Sequence, residues 1–324
     1  MGSLRELRSR IKTVNSTKKI TKAQELIATS RIVKAQARVE QHTPYAEEIT
    51  KVIGELTTAS RSLDHPLLSE RENPQRAAVL VVTSDRGMCG AYNSNVLREA
   101  EELIQLLHSQ NRDVVLYVLG NKGLIYYTFR GRDVAGSWTG FSQQPSYSDA
   151  SPASTHLVEL FMAGSGNHVD APNGEGTVEG VDELHIVFTK FQSMLSQKPL
   201  VRRMAPIEID IEEEELKLGE DMLSSAPDAD APVAAWSFEP DADSLLAEIL
   251  PKYVSTRIYA ALLEAAASES AARRTAMKSA TDNANELANS LTRQMNQARQ
   301  AMITQEISEI VGGANALASS AGSD

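Results

Sequence analysis

Cysteine and aromatic residues are scarce in this chain, and long apolar runs are missing. With Cys89 as its single cysteine the chain cannot form an internal disulfide, which suits a reducing compartment. Aromatic residues make up 5% of the 324 residues, a composition more typical of long helices than of a compact enzyme core. No apolar run approaches the roughly 18 residues that span a bilayer, and residues 1–7 lack the apolar stretch of a signal peptide. We therefore expect a soluble chain that partners would hold at any membrane where it works.

The net charge of −11 is divided unevenly along the chain. Residues 1–40 contain ten basic and three acidic side chains, whereas residues 208–243 contain thirteen acidic side chains and one lysine. The basic segment lacks interleaved aromatic residues, and its apolar spacing favours a helical partner, so we expect no nucleic-acid binding. The acidic segment lacks the spacing of an EF-hand calcium loop and is typical of a solvated surface.

Both ends of the chain have the apolar spacing of long helices. From residue 3 to 58 the spacing of three or four shifts register once, and Pro44 predicts a kink or local unwinding. The seam has three parts: Leu4, Leu7, Ile11, Val14, then Ile20, Ala23, Ile27, and then Ala46, Ile49, Ile53, Leu56. From about residue 243 to 318 the pattern returns, with a seam at Ala284, Leu287, Leu291, Met295, Ala298 and Met302. Helices of roughly 80 and 100 Å exceed a domain diameter, so we expect each to project or to lie in a partner.

The middle of the chain alternates between strands and helices, which predicts a small α/β sheet covered on both faces. Predicted buried strands are Ala77–Ser84, Val114–Leu119 and Leu184–Thr189, with an antiparallel strand at Val201–Ile211. Predicted helices are 94–110, capped by Asn93 or Ser94, then 121–130 and 154–163. The predicted organisation is therefore a helix at 1–59, an α/β domain at 75–211 with an exposed hairpin or loop at 164–183, an acidic surface segment at 212–241, and a helix at 242–324.

Few residues in this pattern point to catalysis. The segment 84–90 follows a strand and precedes a helix, where phosphate loops lie, but it contains neither Gly-Lys-Ser/Thr nor a complete G-x-G-x-x-G. A tight turn that needs glycine is the favoured interpretation, with Cys89 as a small buried residue. The six histidines are not paired at metal-ligand spacing, so we expect no metal site.

The end of the C-terminal helix combines a polar cluster with an apolar tip. The cluster extends from Arg299 to Glu306, and the tip consists of Ile307, Ile310, Val311, Ala314, Ala316 and Leu317. An apolar tip that no later sequence can cover is an aggregation risk unless another protein encloses it. We therefore expect this end to insert into a socket.

Four spaced motifs resemble the gamma subunit of F-type ATP synthase. The most specific lies at 303–316, Ile-Thr-Gln-Glu followed by Glu-Ile-Val-Gly-Gly-Ala-Asn-Ala. The others are Ala-Ala-Arg and Ala-Met-Lys…Ala-Thr-Asp-Asn-Ala at 271–284, Ser-Asp-Arg-Gly-Met-Cys-Gly with Asn-Ser-Asn at 84–95, and Ile-Lys…Thr-Lys-Lys-Ile-Thr-Lys-Ala at 11–23. The resemblance covers most of the chain, in order. It departs at Gln24, where the family commonly has Met.

The resemblance implies a central rotor stalk: an antiparallel coiled coil of the terminal helices with a central Rossmann-like α/β domain. One copy per complex would turn inside the hexamer of alpha and beta subunits, with the epsilon subunit and the membrane c-ring at its foot. It implies that this chain binds no cofactor and catalyses nothing, while the alpha and beta subunits bind ATP, ADP and magnesium. It also implies a peripheral location at the cytoplasmic face of the cell membrane, without direct membrane insertion, in a proton-coupled complex.

Residue roles follow by position from the same resemblance. Contacts with the beta subunit are expected at Arg299 and Gln300, at Thr304 one turn away, at Arg273, and at Lys18 and Lys22 on the opposing helix. Ile307, Ile310, Val311 and Leu317 would turn in a top bearing. The loop at 164–183 is longer than in many relatives, and we hypothesise that its residues Asn167, His168, Asp170 and Glu175 contact a neighbouring subunit and bias the direction of rotation.

Without the resemblance, two other functions stay open. One is an α/β enzyme with coiled-coil oligomerisation arms, for which no convincing nucleophile, acid–base pair or phosphate loop is present. The other is a scaffold coiled coil, which predicts continuous heptads, whereas the observed seams drift and flank a globular pattern.

Overall fold

A computed structural model describes residues 4–59, 65–174, 176–207 and 242–320. Its helices are α1 (Leu4–Ala59), α2 (Tyr92–Ser109), α3 (Asn121–Phe129), α4 (Tyr147–Ala163) and α5 (Ala242–Ser320). Its strands are β1 (Arg76–Val82), β2 (Asp113–Leu119), β3 (Gly136–Trp138), β4 (His168–Asp170), β5 (Thr177–Glu179), β6 (Glu183–Phe191) and β7 (Gln197–Ala205). The chain divides into two compact units. The α/β unit is Ala28–Arg273, and the helical unit contains α1 up to Ile27 and α5 from Arg274.

A five-stranded sheet in the order β3-β2-β1-β6-β7 organises the α/β unit. The first four strands in that order are mutually parallel, and β7 pairs antiparallel with β6. The predicted α/β sheet is therefore confirmed. The sequence pattern did not predict the short strand β3, and α4 begins seven residues earlier than predicted. A capping box explains that earlier start, because the Ser146 hydroxyl accepts from the Asp149 N–H while the Asp149 carboxylate accepts from the Ser146 N–H.

Alternate residues of the central strand β1 supply the two apolar cores of this unit. Ala78, Leu80 and Val82 lie in one core, and Ala77, Val79 and Val81 in the other. The first core is closed by α4, by the last turns of α1 and by the first part of α5. The second is closed by α2 and by Tyr127 of α3. Burial on both faces is the reason that β1 has a continuous apolar run instead of an alternating one.

An antiparallel hairpin, β4 with β5, lies between α4 and β6. This is the hairpin form that the sequence predicted within 164–183. The exposed part is shorter than that range, because Gly180, Val181, Asp182 and Glu183 are all buried. Glu183 is the first residue of β6, so the last four residues belong to the base of the sheet.

In the helical unit the seam of α1 keeps one register instead of shifting. Buried or half-buried positions recur with alternating spacings of three and four at Leu4, Leu7, Ile11, Val14, Lys18, Thr21 and Glu25. The predicted shift to Ile20, Ala23 and Ile27 is wrong, because all three side chains are exposed. The helix therefore has polar side chains in its seam and isoleucines on its outer face. Hydrophobicity alone indicates the opposite arrangement.

The observed seam of α5 also differs from the predicted one. Buried or half-buried positions recur at Met277, Thr281, Ala284, Ala288, Leu291, Met295 and Ala298, again with alternating spacings of four and three. Leu287 and Met302 are exposed, so their prediction as seam residues is wrong. Small Ala288 takes the place of Leu287, and a small residue there lets the neighbouring backbone approach closely.

Both long helices continue through their prolines. Pro44 lies inside α1 and Pro251 inside α5, so α1 is not unwound at Pro44, and a kink there stays a prediction. A proline removes one backbone donor from a helix. The packing of Ile53 and Leu56 into the core on the far side of Pro44 holds the helix in place.

Candidate functional site

The distal part of α5, residues 299–312, is an exposed helix with polar and apolar side chains. Arg299, Gln300 and Thr304 are all exposed, and the spacing of four places Gln300 and Thr304 on one face. The Thr304 hydroxyl donates to the Gln300 carbonyl at 3.0 Å. The Arg299 guanidinium and the Gln300 amide are therefore oriented toward solvent, in position to donate to an acceptor on another molecule.

Apolar side chains follow on the same exposed helix. Met302, Ile303, Ile307, Ile310 and Val311 are all largely exposed, and Ile310 reaches 72%. Five large apolar side chains within ten residues form a patch of the kind that marks a protein interaction site. The structure therefore places Ile307, Ile310 and Val311 on such a surface. The side chain of Leu317 lies outside the described residues.

Lys18 and Lys22 lie on α1, in the same helical unit. Lys22 is exposed and forms an ion pair with Glu25, with 3.1 Å between Nζ and Oε2. Lys18 is half-buried in the α1 seam, and its carbonyl accepts from the Thr21 hydroxyl at 3.0 Å. Lys22 is thus the more accessible of the two, although it is already paired with a carboxylate.

A hydrogen bond that sequence reasoning missed joins the two helices of this unit. The hydroxyls of Thr21 and Thr281 lie 2.7 Å apart, and the two residues are only 9% and 7% exposed. Each hydroxyl also has a backbone acceptor in its own helix, the Lys18 carbonyl for Thr21 and the Met277 carbonyl for Thr281. Both residues lie at seam positions of the helical repeat. The apolar pattern does not reveal them, because threonine is not counted as a seam residue.

Arg273 lies in the α/β unit and is buried, with 5% of its surface exposed. Its guanidinium pairs with Glu269 at 2.7 Å and donates to the carbonyls of Arg86 and Gly87 at 3.0 and 3.2 Å. Burial raises the pKa of Glu269, and the adjacent guanidinium partly offsets that rise. Nη1 of Arg273 has no hydrogen-bond partner among the described residues, and the expected contact of Arg273 with a beta subunit stays a prediction.

The turn after β1 lies where a phosphate loop would lie, at the carboxyl edge of the parallel strands. Its polar groups are used internally: the Asp85 carboxylate accepts from the backbone N–H groups of Asn121 and Ser142. The Asn93 side chain accepts from the Ser84 N–H instead of capping α2, whose first turn has no side-chain cap, so the predicted cap is wrong. Cys89 is buried as predicted, and burial raises the pKa of its thiol.

Helix α5 crosses the same edge of the sheet and fills the crevice there. The Ser268 hydroxyl donates to the Thr189 carbonyl at 3.0 Å, and the Tyr92 hydroxyl donates to the Ala265 carbonyl at 3.4 Å. Gln143 donates to the Glu269 carboxylate at 3.2 Å. Ligands of open α/β sheets bind outside the carboxyl ends of the strands, where the strand order reverses. In this chain that place is taken by side chains of α5.

The hairpin residues named from the sequence are accessible. His168 and Asp170 are exposed, and the Asn167 amide donates to the Ala163 carbonyl at 2.8 Å. Glu175 lies outside the described residues. Asn167 therefore belongs to the base of the hairpin, whereas His168 and Asp170 are available to another molecule.

A buried carboxylate that sequence reasoning missed anchors this hairpin. Asp182 accepts from the Arg71 guanidinium at 2.9 Å, from the Ser165 hydroxyl at 2.9 Å and from the Gln75 N–H at 2.8 Å. Burial alone would raise the pKa of Asp182, but the donors from Gln75 and Ser165 outweigh it and hold the pKa below its usual range. No local pattern could have revealed this cluster, because Arg71 and Asp182 are 111 residues apart.

The described residues contain neither a membrane-spanning helix nor a cluster of metal-ligand side chains. No helix within them is both long and apolar enough to cross a bilayer. No group of three or more His, Cys, Asp or Glu side chains among them is arranged to hold a metal ion.

Comparison with known proteins places this chain among close relatives. A family model described as ATP synthase matches residues 3–317. The chain is 74% identical over 326 residues to the ATP synthase gamma chain of Rhodococcus jostii, covering all of both chains. It is 67% identical to the gamma chain of Nocardia farcinica, again over the whole of both chains. It is 59% identical to that of Mycolicibacterium smegmatis, covering 98% of this chain and 99% of the relative.

Solved structures show the same fold at much lower identity. A chain of the rotor of the Euglena gracilis mitochondrial ATP synthase aligns with a TM-score of 0.60 at 17% identity, covering 93% of this chain and 98% of that one. A chain of an OSCP/F1/c-ring assembly from the same organism aligns with a TM-score of 0.64 at 18% identity, covering 97% and 94%.

Proposed function

Because this chain belongs to the gamma-chain family of ATP synthase, we propose that it is the central rotor stalk that couples rotation of a membrane c-ring to the catalytic sites of the beta subunits. The observation that carries this proposal is the exposed surface at residues 299–311 of α5. Polar donors and large apolar side chains stand side by side there on a helix that is uncovered in the single chain. Such a surface suits insertion into a socket of other subunits.

Coupling in this proposal depends on contacts that differ with the angle of the rotor. A rotor that bonds equally to every beta-subunit conformation shifts no equilibrium, whereas one that bonds better to one conformation favours it. Arg299 and Gln300 supply directional hydrogen bonds that can discriminate between conformations. Ile307, Ile310 and Val311 supply apolar contact without direction or fixed charge, which allows the helix end to turn in a bearing.

The proposed assembly contains one copy of this chain, with alpha and beta subunits around its helical unit and with the epsilon subunit and the c-ring at its foot. In it the chain is non-catalytic, and ATP, ADP and magnesium are bound by the alpha and beta subunits. The filled crevice at the carboxyl edge of the sheet supports that division, because α5 occupies the place where a nucleotide would bind. We propose a peripheral location at the cytoplasmic face of the cell membrane and coupling to protons.

The β4–β5 hairpin has a second proposed role within the same complex. His168 and Asp170 are exposed on a hairpin whose base is fixed by Asp182, so a contact at its tip would be transmitted to a rigid sheet. We propose that this contact biases the direction of rotation. Deletion of 167–180 leaves cut ends that are close together, because the backbone nitrogen of Gly180 lies 2.8 Å from the carbonyl oxygen of Asn167. Unchanged rates of both synthesis and hydrolysis in the deletion variant would reject this role.

The rotor proposal is tested by replacing Arg299 and Gln300 with alanine in the reassembled complex. Losing two donors of about 0.5–1.5 kcal/mol each predicts a several-fold loss of ATP hydrolysis and synthesis. The chain offers a matched control in Arg293 and Gln294, the same two residue types, also exposed and roughly 240° away around the helix. Wild-type rates in the Arg299→Ala/Gln300→Ala complex would reject the contact. Equal losses in the control pair would show that the effect is not specific to this face.

A further inference from the structure

A pocket in the α/β unit lies apart from the surfaces used so far. It is a cavity of about 30 Å³ that opens to solvent between α1, the β6–β7 pair and α5. Its walls are apolar, with Ile186, Phe188 and Met204 from the sheet and Ala260 and Ala261 from α5. This volume admits about two water molecules or one small polar head group.

One buried polar group in this lining lacks a partner. Glu264 is 7% exposed, and its Oε2 has no hydrogen-bond partner, whereas the backbone N–H of Phe191 bonds to the same carboxyl group. A buried carboxyl oxygen without a partner is costly, so an occupant that pairs with it would be favoured. Burial raises the pKa of Glu264, and the nearby charges of Arg202 and Lys190 partly offset that rise.

The other charged groups in the lining are already engaged. The Arg257 guanidinium donates to the Tyr253 hydroxyl at 3.2 Å and stacks over that ring, and the Arg202 guanidinium lies 6.0 Å from the Phe188 ring centre. Two arginines in the lining face two acidic residues, Glu264 and the exposed Glu47. With Glu264 ionised the formal charge of the lining is balanced, so in that state a charged ligand of either sign would add an unbalanced charge.

We propose that this pocket binds a small neutral amide on an apolar body, with the amide paired to the Glu264 carboxyl group. An amide N–H donates to an ionised carboxylate, and an amide carbonyl accepts from a protonated one, so the same ligand satisfies Oε2 in either state. The apolar walls contact the body of the ligand. The amide has two possible sources, a free small molecule or an asparagine or glutamine side chain of a partner subunit.

Three fragments with one ring and different head groups test the proposal: benzamide, benzylamine and benzoate. Binding to the full-length chain is measured by ligand-observed NMR titration. Benzamide is expected to bind with a Kd on the order of millimolar, and the cationic and anionic fragments at least tenfold more weakly. Failure of benzamide to bind, or stronger binding of a charged fragment, would overturn the proposal, and failure of all three would mean that the pocket holds only water.

Variants of the chain distinguish the contribution of the Glu264 carboxyl group to binding from that of the cavity. Glu264→Leu is expected to weaken benzamide at least tenfold, while Glu264→Gln keeps a pairing group and keeps most of the binding. Ala260→Leu narrows the cavity without changing Glu264 and is also expected to abolish binding, which keeps the test valid if Glu264→Leu fails to fold. Glu47→Gln at the exposed rim is the control and should bind as the wild type does. Equal binding to Glu264→Leu and the wild type would reject the role of the carboxyl group.

Repeating the titration with the assembled complex distinguishes the two sources of the amide. Loss of benzamide binding on assembly would identify a partner side chain as the occupant. Retained binding would identify the pocket as open to a free molecule in the complex.

Discussion

Replacing Thr21 and Thr281 by valine, singly and together, tests the hydrogen bond that joins α1 and α5 in the helical unit. The two hydroxyls lie 2.7 Å apart in a buried layer. Valine has the same shape as threonine and nearly the same helix propensity, so the substitution removes the hydroxyl and little else. Each hydroxyl keeps a backbone carbonyl of its own helix within 3.0 Å, so a single replacement leaves no buried donor without an acceptor.

The expected change in the free energy of unfolding follows from that geometry. Each single variant loses one interhelical hydrogen bond, worth about 1 kcal/mol, without the larger cost of an orphaned group. The double variant loses the same bond only once and places two methyl groups in contact. We therefore expect an interaction free energy of about 0.5–1.5 kcal/mol in a double-mutant cycle, with the double variant no less stable than either single one.

Chemical denaturation of the full-length chain, followed by circular dichroism, measures these free energies of unfolding. Thr13→Val is the matched control, because Thr13 is exposed in the same unit and its hydroxyl donates only to the Ser9 carbonyl at 3.2 Å. The control should change the free energy of unfolding by less than about 0.5 kcal/mol. If the two buried replacements add within about 0.3 kcal/mol, the hydroxyls do not interact in solution and the reasoning is refuted.

The observed seam of α5 predicts different results for two leucines that are four residues apart. Leu291 is 4% exposed, so Leu291→Ala should lower the free energy of unfolding by about 2–5 kcal/mol, whereas Leu287 is 49% exposed, so Leu287→Ala should lower it by less than about 1 kcal/mol. Denaturant unfolding measures both. Equal costs would contradict the observed register. Asp182→Asn should destabilise the chain by about 2–4 kcal/mol, because Arg71 loses its buried partner. The pKa of Asp182 in the folded chain lies below its ordinary value. The contribution of Asp182 to the free energy of unfolding is therefore present above that ordinary value, near 3.8, and disappears as the pH falls through the lower folded pKa. The Asn variant should therefore lose less stability than the wild type on acidification in that range, and parallel losses would argue against the hydrogen bonds from Gln75 and Ser165 that lower this pKa.

The sheet could be predicted from sequence because its central strands are buried on both faces. Such strands appear in the sequence as nearly continuous apolar runs rich in β-branched residues, as at 77–82, 114–119 and 184–189. The short strand β3 could not be predicted, because three residues are too few to show a period. Its pairing with β2 is imposed by the neighbouring strand.

The register of the helical seams was harder to predict, because hydrophobicity and burial disagree there. Ile20 and Ile27 are exposed while Thr21 and Glu25 are buried on the adjacent face. A pattern search that counts only apolar residues follows the isoleucines. When a helix has apolar side chains on two faces, one for its partner in the chain and one for other molecules, the strongest apolar repeat does not identify the inner face.

Arg273 shows how a motif can be recognised in sequence while the position of its side chain is not. The spacing of four from Glu269 is visible in the sequence and permits an ion pair on one helix. The burial of both residues depends on the turn after β1, whose carbonyls of Arg86 and Gly87 lie 187 and 186 residues away. The resemblance implies a contact with another subunit, which stays a prediction, while the tertiary packing shows that the side chain also bonds within its own chain.

The buried polar contacts of α5 with the sheet bear on how a rotor could transmit force. Surface ion pairs are worth little and are easily exchanged for water, whereas breaking a buried pair by removing one partner costs several kcal/mol. Ser268 bonds to strand β6, Glu269 and Arg273 bond to loops at the carboxyl edge of the sheet, and all three are buried. Rotation of α5 against the sheet would break these bonds together in a place that water does not reach. We therefore expect the sheet and residues 265–273 of α5 to move as one body. In that arrangement the crevice at the carboxyl edge of the sheet fixes the helix to the sheet.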